Sequence, residues 1–322
     1  MKDYNGSGSS GDNLAVASHG LQQAIEALYC ELGKLVYGEV TVNDDTVFIS
    51  RDGLPAIPIG KYSPDLVAEI NENNATANAL KERISNIKSL INYEEIQLSE
   101  DCRVCATYAK THLVDMIYCQ AILEGVKTNF LDTKSIIEND VISNMRYGDA
   151  VLLFNLKRAW NFLLDRGTLS WPTTFSLLQQ LNKKIGEDIF YDGGVVRSIP
   201  VTIDGTSYVP PVPVEAASRA DFNDLLSSDR PFLDKAVDLL LFVMKQQLFV
   251  DGNKRCAILI ANHFLISNGD GVLLIPEDKN DEFKSLLLSY YEGSSDAVKD
   301  FLKGECFVPR SEMAVSTIVK SY

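Results

Sequence analysis

The sequence predicts a mainly α fold: a helical bundle carrying a β-hairpin flap, preceded by a mostly helical N-terminal region with a short hairpin of its own. Three observations lead there. Apolar residues recur at helical spacing through most of the second half, as in Phe283, Leu286, Leu287, Tyr290 and Tyr291. Glycines close several of those stripes, at Gly167, Gly186, Gly269 and Gly304. Only two stretches, 39–59 and 193–211, interrupt the pattern with β-branched runs, Gly and Pro.

Taken in order, residues 1–13 (MKDYNGSGSSGDN) read as a flexible tail. Gly6 to Gly11 spell GxGxxG, but that fingerprint holds a dinucleotide only between a strand and a helix, and no strand precedes it. From Leu14 to about Val36, Leu21, Ile25, Leu28, Leu32 and Leu35 give a helix. The segment 39–59 alternates β-branched and polar residues, contains Asp52-Gly53 and two prolines, and suggests the short hairpin. Helical patterns return at 64–70, 79–91 and 102–123. The stretch 149–164 sets Val151, Phe154, Ala159 and Phe162 on one side and stops at Arg166-Gly167, while 173–184 stops at Gly186. Residues 193–211 then form two short β-like runs around Asp204-Gly205, with prolines that make the piece an edge. The stretch 231–246 is strongly apolar, and 253–267 is apolar almost all round, which marks a central buried element. No internal repeat is present. The implied organisation is a tail at 1–13, an N-terminal region at 14–104, a main domain at 105–305 and a C-terminal tail at 306–322.

Composition narrows the function classes. With 322 residues, 46% apolar and 23% charged, the chain reads as a soluble globular protein, and no run of about 18 apolar residues suggests a membrane span. Met1 to Asn5 lack the apolar core of a secretory signal, so the expected address is the cytoplasm. A net charge of −14 argues against a nucleic-acid partner, whose backbone needs clustered Lys and Arg. Six cysteines in such a chain fit reduced thiols. Cys102-Arg103-Val104-Cys105 lacks the second pair that a structural zinc requires.

Chemistry concentrates between the two buried helices, in Phe249-Val250-Asp251-Gly252-Asn253-Lys254-Arg255. A glycine at a helix start exposes backbone N–H groups, and the helix dipole adds partial positive charge. Lys254 and Arg255 supply full charges, and Asp251 offers the oxygen that Mg2+ uses together with phosphate oxygens. A capped helix with solvated cations would need the same residues, so spacing alone leaves both readings open.

These residues resemble the motif of the Fic/Doc (Fido) family, His-x-Phe-x-(Asp/Glu)-Gly-Asn-(Gly/Lys)-Arg. The flap 197–211 resembles the family's flap, and 122–128 (Ile-Leu-Glu-Gly-Val-Lys-Thr) resembles its segment built around an inhibitory glutamate, here Glu124. The resemblance covers about residues 105–305 and implies a Fic-type helical bundle. It implies that Phe249 anchors the loop, that Asp251 binds Mg2+, and that Gly252, Asn253, Lys254 and Arg255 hold the phosphates of ATP. The flap, with Thr202, Ile203, Asp204, Gly205 and Tyr208, would hold a target protein by main-chain pairing. A Ser, Thr or Tyr hydroxyl of that target would attack the α-phosphate and leave with AMP.

Two positions depart from the pattern. The family's His, its general base, is Gln247, and an amide accepts no proton near neutral pH. The second arginine, three residues after Arg255, is Ile258, which removes the partner expected for Glu124, and Gln120 stands where the inhibitory segment prefers Ser or Thr. No other histidine substitutes: His263 lies about 12 Å along the helix from Arg255 at ~1.5 Å per residue, and His112 and His19 read as structural. Three functions stay open: a protein nucleotidyltransferase slowed by loss of its base, a nucleotide-binding regulator or interaction module, and Doc-like phosphotransfer, which Lys254 permits. For residues 14–104, packing on the core, homo-oligomer formation and target recognition are all open.

Overall fold

The computed structural model describes residues 37–50, 57–90, 97–141, 145–190, 192–294 and 296–313, with isolated positions 24, 27, 28, 31 and 35 before them. Packing divides the chain into two compact units, residues 1–95 and 96–322.

In the first unit the tail and most of the helix expected at 14–36 lie outside the described residues, although 24, 27, 28 and 31 are helical. The expected hairpin is a three-stranded antiparallel sheet, β1 (Glu39–Asn43), β2 (Thr46–Ser50) and β3 (Ile57–Lys61). Its first turn falls at Asp44-Asp45, both left-handed at φ 45° and 63°, which is the backbone a two-residue hairpin turn needs. Asp52-Gly53, where the sequence suggested the turn, lies outside the described residues. Val47 and Ile49 of β2 pack on Ile70 of helix α1 (Pro64–Leu90). This helix joins two stretches that the sequence separates, because the polar residues between them are used: Asn74 bonds both the N–H and the C=O of Gly38, at 2.7 and 2.9 Å.

The second unit is helical: α2 (Glu100–Thr111), α3 (Leu113–Leu123), α4 (Phe130–Asn139), α5 (Tyr147–Leu163), α6 (Arg166–Leu169), α7 (Phe175–Ile185), α8 (Glu215–Ser227), α9 (Phe232–Gln246), α10 (Asn253–Ser267), α11 (Asn280–Tyr291) and α12 (Asp296–Glu305). Side chains of Ser99, Asn129, Asp165 and Thr174 cap α2, α4, α6 and α7 by accepting first-turn N–H bonds. The single helix expected over 102–123 breaks at His112, whose ring stacks on Tyr108 at 4.0 Å and bonds the Tyr108 carbonyl.

Helix α10 is the centre, buried from Arg255 to Ile266 and packed by α2, α5, α6, α7 and α9. Each Ile, Leu and Phe side chain so buried contributes on the order of 1.5–3 kcal/mol. In the middle of the helix the Asn262 amide bonds the N–H and C=O of Leu273 in β4 (Gly271–Leu273). Residues assigned to a C-terminal tail return to this core. β5 (Phe307–Pro309) pairs antiparallel with β4, and Cys306 and Met313 are buried. A three-residue strand is too short to show its period in sequence.

The flap is a second correction. Residues 193–211 contain the turn at Asp204-Gly205 but no strand ladder. Pro200, Pro210 and Pro211 have no N–H to give to one, and a single buried side chain holds the two arms instead.

Candidate nucleotide site

Phe249 is fully buried and fixes the loop between α9 and α10 in the core. Gln247 caps α9 in the left-handed region, φ 46° and ψ 59°, which a non-glycine residue adopts at a cost of about 1–3 kcal/mol. Its amide is used at both ends: Nε2 donates to the Met244 carbonyl at 2.6 Å, and Oε1 accepts from Asn253 Nδ2 at 3.0 Å. Asn253 also bonds the C=O and N–H of Phe249, at 2.8 and 2.9 Å. The sequence reading aimed Asn253 at phosphate, but this buried amide is directed into the loop, so only its main chain is offered to an anion. Gly252 is the N-cap of α10 at φ 79°, and a Cβ there would meet Ile185 Cδ1 at 2.6 Å. Asn182, on α7, donates to the Asp251 carbonyl at 2.9 Å and accepts from Gly194 N–H at 2.8 Å, tying loop to flap base.

The charges converge on the start of α10. Arg255 is 3% exposed; one guanidinium NH2 reaches Asp251 Oδ1 at 3.0 Å, while Nε and the other NH2 have no hydrogen-bond partner. Glu124, the C-cap of α3, places its carboxylate 3.8 Å from both Lys254 and Arg255. With Ile258 in the place of its expected arginine, Glu124 thus meets the loop's own two cations. Ile258 itself lies in an apolar void with Met116, Cys119 and Trp160. Gln120 links α3 to α10, giving a bond to the Arg255 carbonyl and taking one from Trp160.

Above the loop lies the flap. Arg197, 3% exposed, is the side chain that holds it: Nε donates to the Gln247 carbonyl, and the two NH2 groups to Ile199 and Pro211 carbonyls, each at 2.7 Å. Its own N–H bonds Leu248 O at 2.9 Å. Burial pushes this guanidinium below its ordinary pKa. The flap tip is held separately, by Glu292, which accepts from Thr206 Oγ1, Ser207 N–H and Ser207 Oγ.

Loop, flap and Glu124 enclose a cavity of about 460 Å3, to which Thr202, Ile203, Asp204, Gln247, Asp251, Gly252, Asn253 and Lys254 all contribute. Lys284, Leu287, Leu288 and Tyr291 complete its wall; of these the sequence showed Leu287 and Tyr291 only as part of a helical stripe, and Lys284 and Leu288 carried no signal. Gly205 sits against Leu288, and Tyr208 turns away to stack on Tyr291 with ring centres 6.0 Å apart. Among the described residues no group of three or more His, Cys, Asp or Glu could hold a metal ion, so a cation here would need oxygens from its ligand. Burial pushes the thiols of Cys102 and Cys105 up to about 11 and about 12, which suits neither redox nor metal work. No helix among the described residues is long and apolar enough to cross a membrane.

The architecture is that of a mainly α bundle with an anion-suited helix start under a flap. The sequence model of the Fic/DOC family matches residues 172–265, which run from just before α7 through the flap and loop into α10. The chain therefore carries a Fic/DOC domain, of a family that commonly transfers a nucleoside monophosphate to proteins. Among solved structures, Fic-1 of C. elegans (residues 134–508) is similar at a TM-score of 0.54 and 16% identity, over 80% of this chain and 86% of that one. A Fic-domain signaling protein of Bacteroides thetaiotaomicron gives 0.52 and 18%, over 71% and 88%. A Fic family protein of Desulfovibrio desulfuricans gives 0.52 and 14%, over 81% and 77%. At these identities the likeness establishes the fold. No curated protein matches the sequence.

Proposed function

We propose that the chain is a Mg2+-dependent protein nucleotidyltransferase that uses ATP to modify a target hydroxyl, working slowly because Gln247 occupies the position of the base. The observation that carries this reading is Arg255: a buried guanidinium with two unpartnered donor nitrogens, beside a helix N-terminus. An unpaired buried donor costs about 1–3 kcal/mol, and more when charged. A phosphate oxygen would satisfy it.

Asp251 fits the metal. Its Oδ1 is taken by Arg255 and Gly252 N–H, while the side chain is half exposed and keeps Oδ2 for a cation that also binds phosphate. The metal would neutralise charge on the phosphates; Lys254, Arg255 and the first N–H groups of α10 would orient them. Glu124 competes for those cations and must yield to the phosphates. In the transfer, the target hydroxyl oxygen bonds the α-phosphorus and the bond to the β-phosphate oxygen breaks, releasing pyrophosphate. The hydroxyl proton cannot go to Gln247, so it leaves to a phosphate oxygen or to water, which predicts a rate about 10²–10⁴-fold below that of a base-assisted reaction.

A second reading, a nucleotide-binding regulator, is favoured by the Gln247 amide, which is bonded at both ends as part of the scaffold. One experiment separates the readings. The protein and a Gln247→His variant are incubated with Mg2+, cell lysate and ATP labelled at the α- or the γ-phosphate. Transfer of α-label by both is expected, faster in the variant; label from the variant alone supports the regulator, and γ-label supports Doc-like phosphotransfer. Glu124→Gln should bind ATP more tightly. If Arg255→Ala leaves ATP affinity unchanged, the phosphate site is wrong.

A further inference from the structure

We infer that the cleft behind the flap is a second anion site, which takes the carboxylate or phosphate group of a polypeptide side chain. This rests on the reading of the flap as the edge along which a target segment lies. The cleft holds about 330 Å3 between Tyr208 of the flap, Phe242 and Lys245 of α9, and Tyr290 of α11, with Arg230 and Lys299 at its side.

Charge is the first argument. Three cations and one carboxylate, Asp238, line the cleft, in a chain whose net charge is −14. Asp238 is occupied: Lys299 donates to Oδ1 at 2.6 Å and Arg230 to Oδ2. It therefore places those two cations and leaves Lys245 uncompensated. Among the described residues Lys245 has no carboxylate partner. Its ammonium gives one bond, to the Tyr290 carbonyl at 3.1 Å, and has two donors left. It lies 4.7 Å from the Tyr290 ring centre and 5.3 Å from that of Tyr208, which fixes its place without neutralising it.

Ring geometry selects the kind of ligand. Tyr208 already stacks on Tyr291 and carries Lys245, and Tyr290 carries the same ammonium. A nucleobase would be left only the half-buried Phe242 to stack on. A lone anionic group needs only the free donors.

The flap supplies the polypeptide. Tyr208 faces the cleft while Val209, next to it, is 61% exposed, the alternation of an extended edge. Ile199 and Val212 are exposed as well. A segment lying against this edge, with Val209 as its main-chain contact, brings an acidic side chain to the Tyr208 side, where it meets Lys245.

Two measurements on the full chain test this. Inorganic phosphate is titrated while the lysine side-chain NMR signals are followed: those of Lys245 should shift saturably, and Lys299→Gln should weaken that response. Lys254 signals report the loop site independently, and Arg255→Ala should abolish their response without changing that of Lys245. A fluorescein-labelled peptide, Val-Thr-Val-Glu-Val-Thr-Val, and its phosphoserine and Gln counterparts are then compared by anisotropy. The Glu and phosphoserine forms should bind about two- to fivefold more tightly than the Gln form, and Lys245→Met should erase the difference. The inference is overturned if phosphate leaves Lys245 unmoved, or if the three peptides bind alike, including not at all. Phosphate binding without peptide discrimination also sinks it, since that describes a free-anion site.

Discussion

At the scale of the residue, His263 shows how much of a site-like side chain is scaffold. It is fully buried on α10, where Nε2–H donates to the Thr168 carbonyl at 2.9 Å, so Nδ1 is the unprotonated nitrogen that accepts the Thr173 hydroxyl at 2.8 Å. Burial lowers its pKa from 6.5 to about 4. The unfolded chain therefore binds a proton that the folded chain refuses between those values, and stability falls as pH drops through that window, by on the order of 3 kcal/mol in full. Urea unfolding at pH 6.5 and 4.5 should show a larger loss for the protein than for His263→Gln; equal losses would contradict this. The sequence excluded His263 as a base on distance alone, and its bonds agree. It did not show that the Asn253 amide would turn inward to Phe249 and Gln247, a local choice that the letters leave open, or that Glu124 would face Lys254 and Arg255, which depends on where α3 meets α10, across more than a hundred residues.

At the scale of the element, the helices were legible where period and punctuation coincide. α7 opens on the Thr174 cap and ends at Gly186, and α10 runs between Gly252 and Asn268. α4 and α8 went unseen. α8 has a weak apolar stripe, with Phe222 and Ser218 as its buried residues. The flap was placed correctly but given a ladder it lacks, since sequence does not reveal that Arg197 would replace pairing by binding carbonyls of both arms and of Gln247. Arg197→Met should free both ends of that link. Hydrogen exchange is expected to quicken at 198–211 and at 246–250 together, whereas Glu292→Gln should quicken only 204–208. Faster exchange confined to the flap in Arg197→Met would show that the loop is held without it.

At the scale of the whole molecule, the two units have separate cores. One is built on Val47, Ile49 and Ile70, the other on residues from 102 to 313, and every residue of the candidate site belongs to the second. A chain beginning at residue 96 should unfold in one cooperative calorimetric transition and bind ATP with the affinity of the full protein. A broad transition, or affinity lost by more than about tenfold (about 1.4 kcal/mol), would mean that the first unit contributes to the second. The sequence placed a boundary at 104/105, nine residues beyond the division that packing makes at 95/96. Arg197 has one more consequence for the molecule. Its partners are main-chain carbonyls, which every amino acid possesses, so the letters of the flap at 199 or 211 can be rewritten while the clasp stays shut. The clasp is thereby independent of the side chains around it: a library randomised over the outer flap positions should remain folded, with the bundle beneath undisturbed.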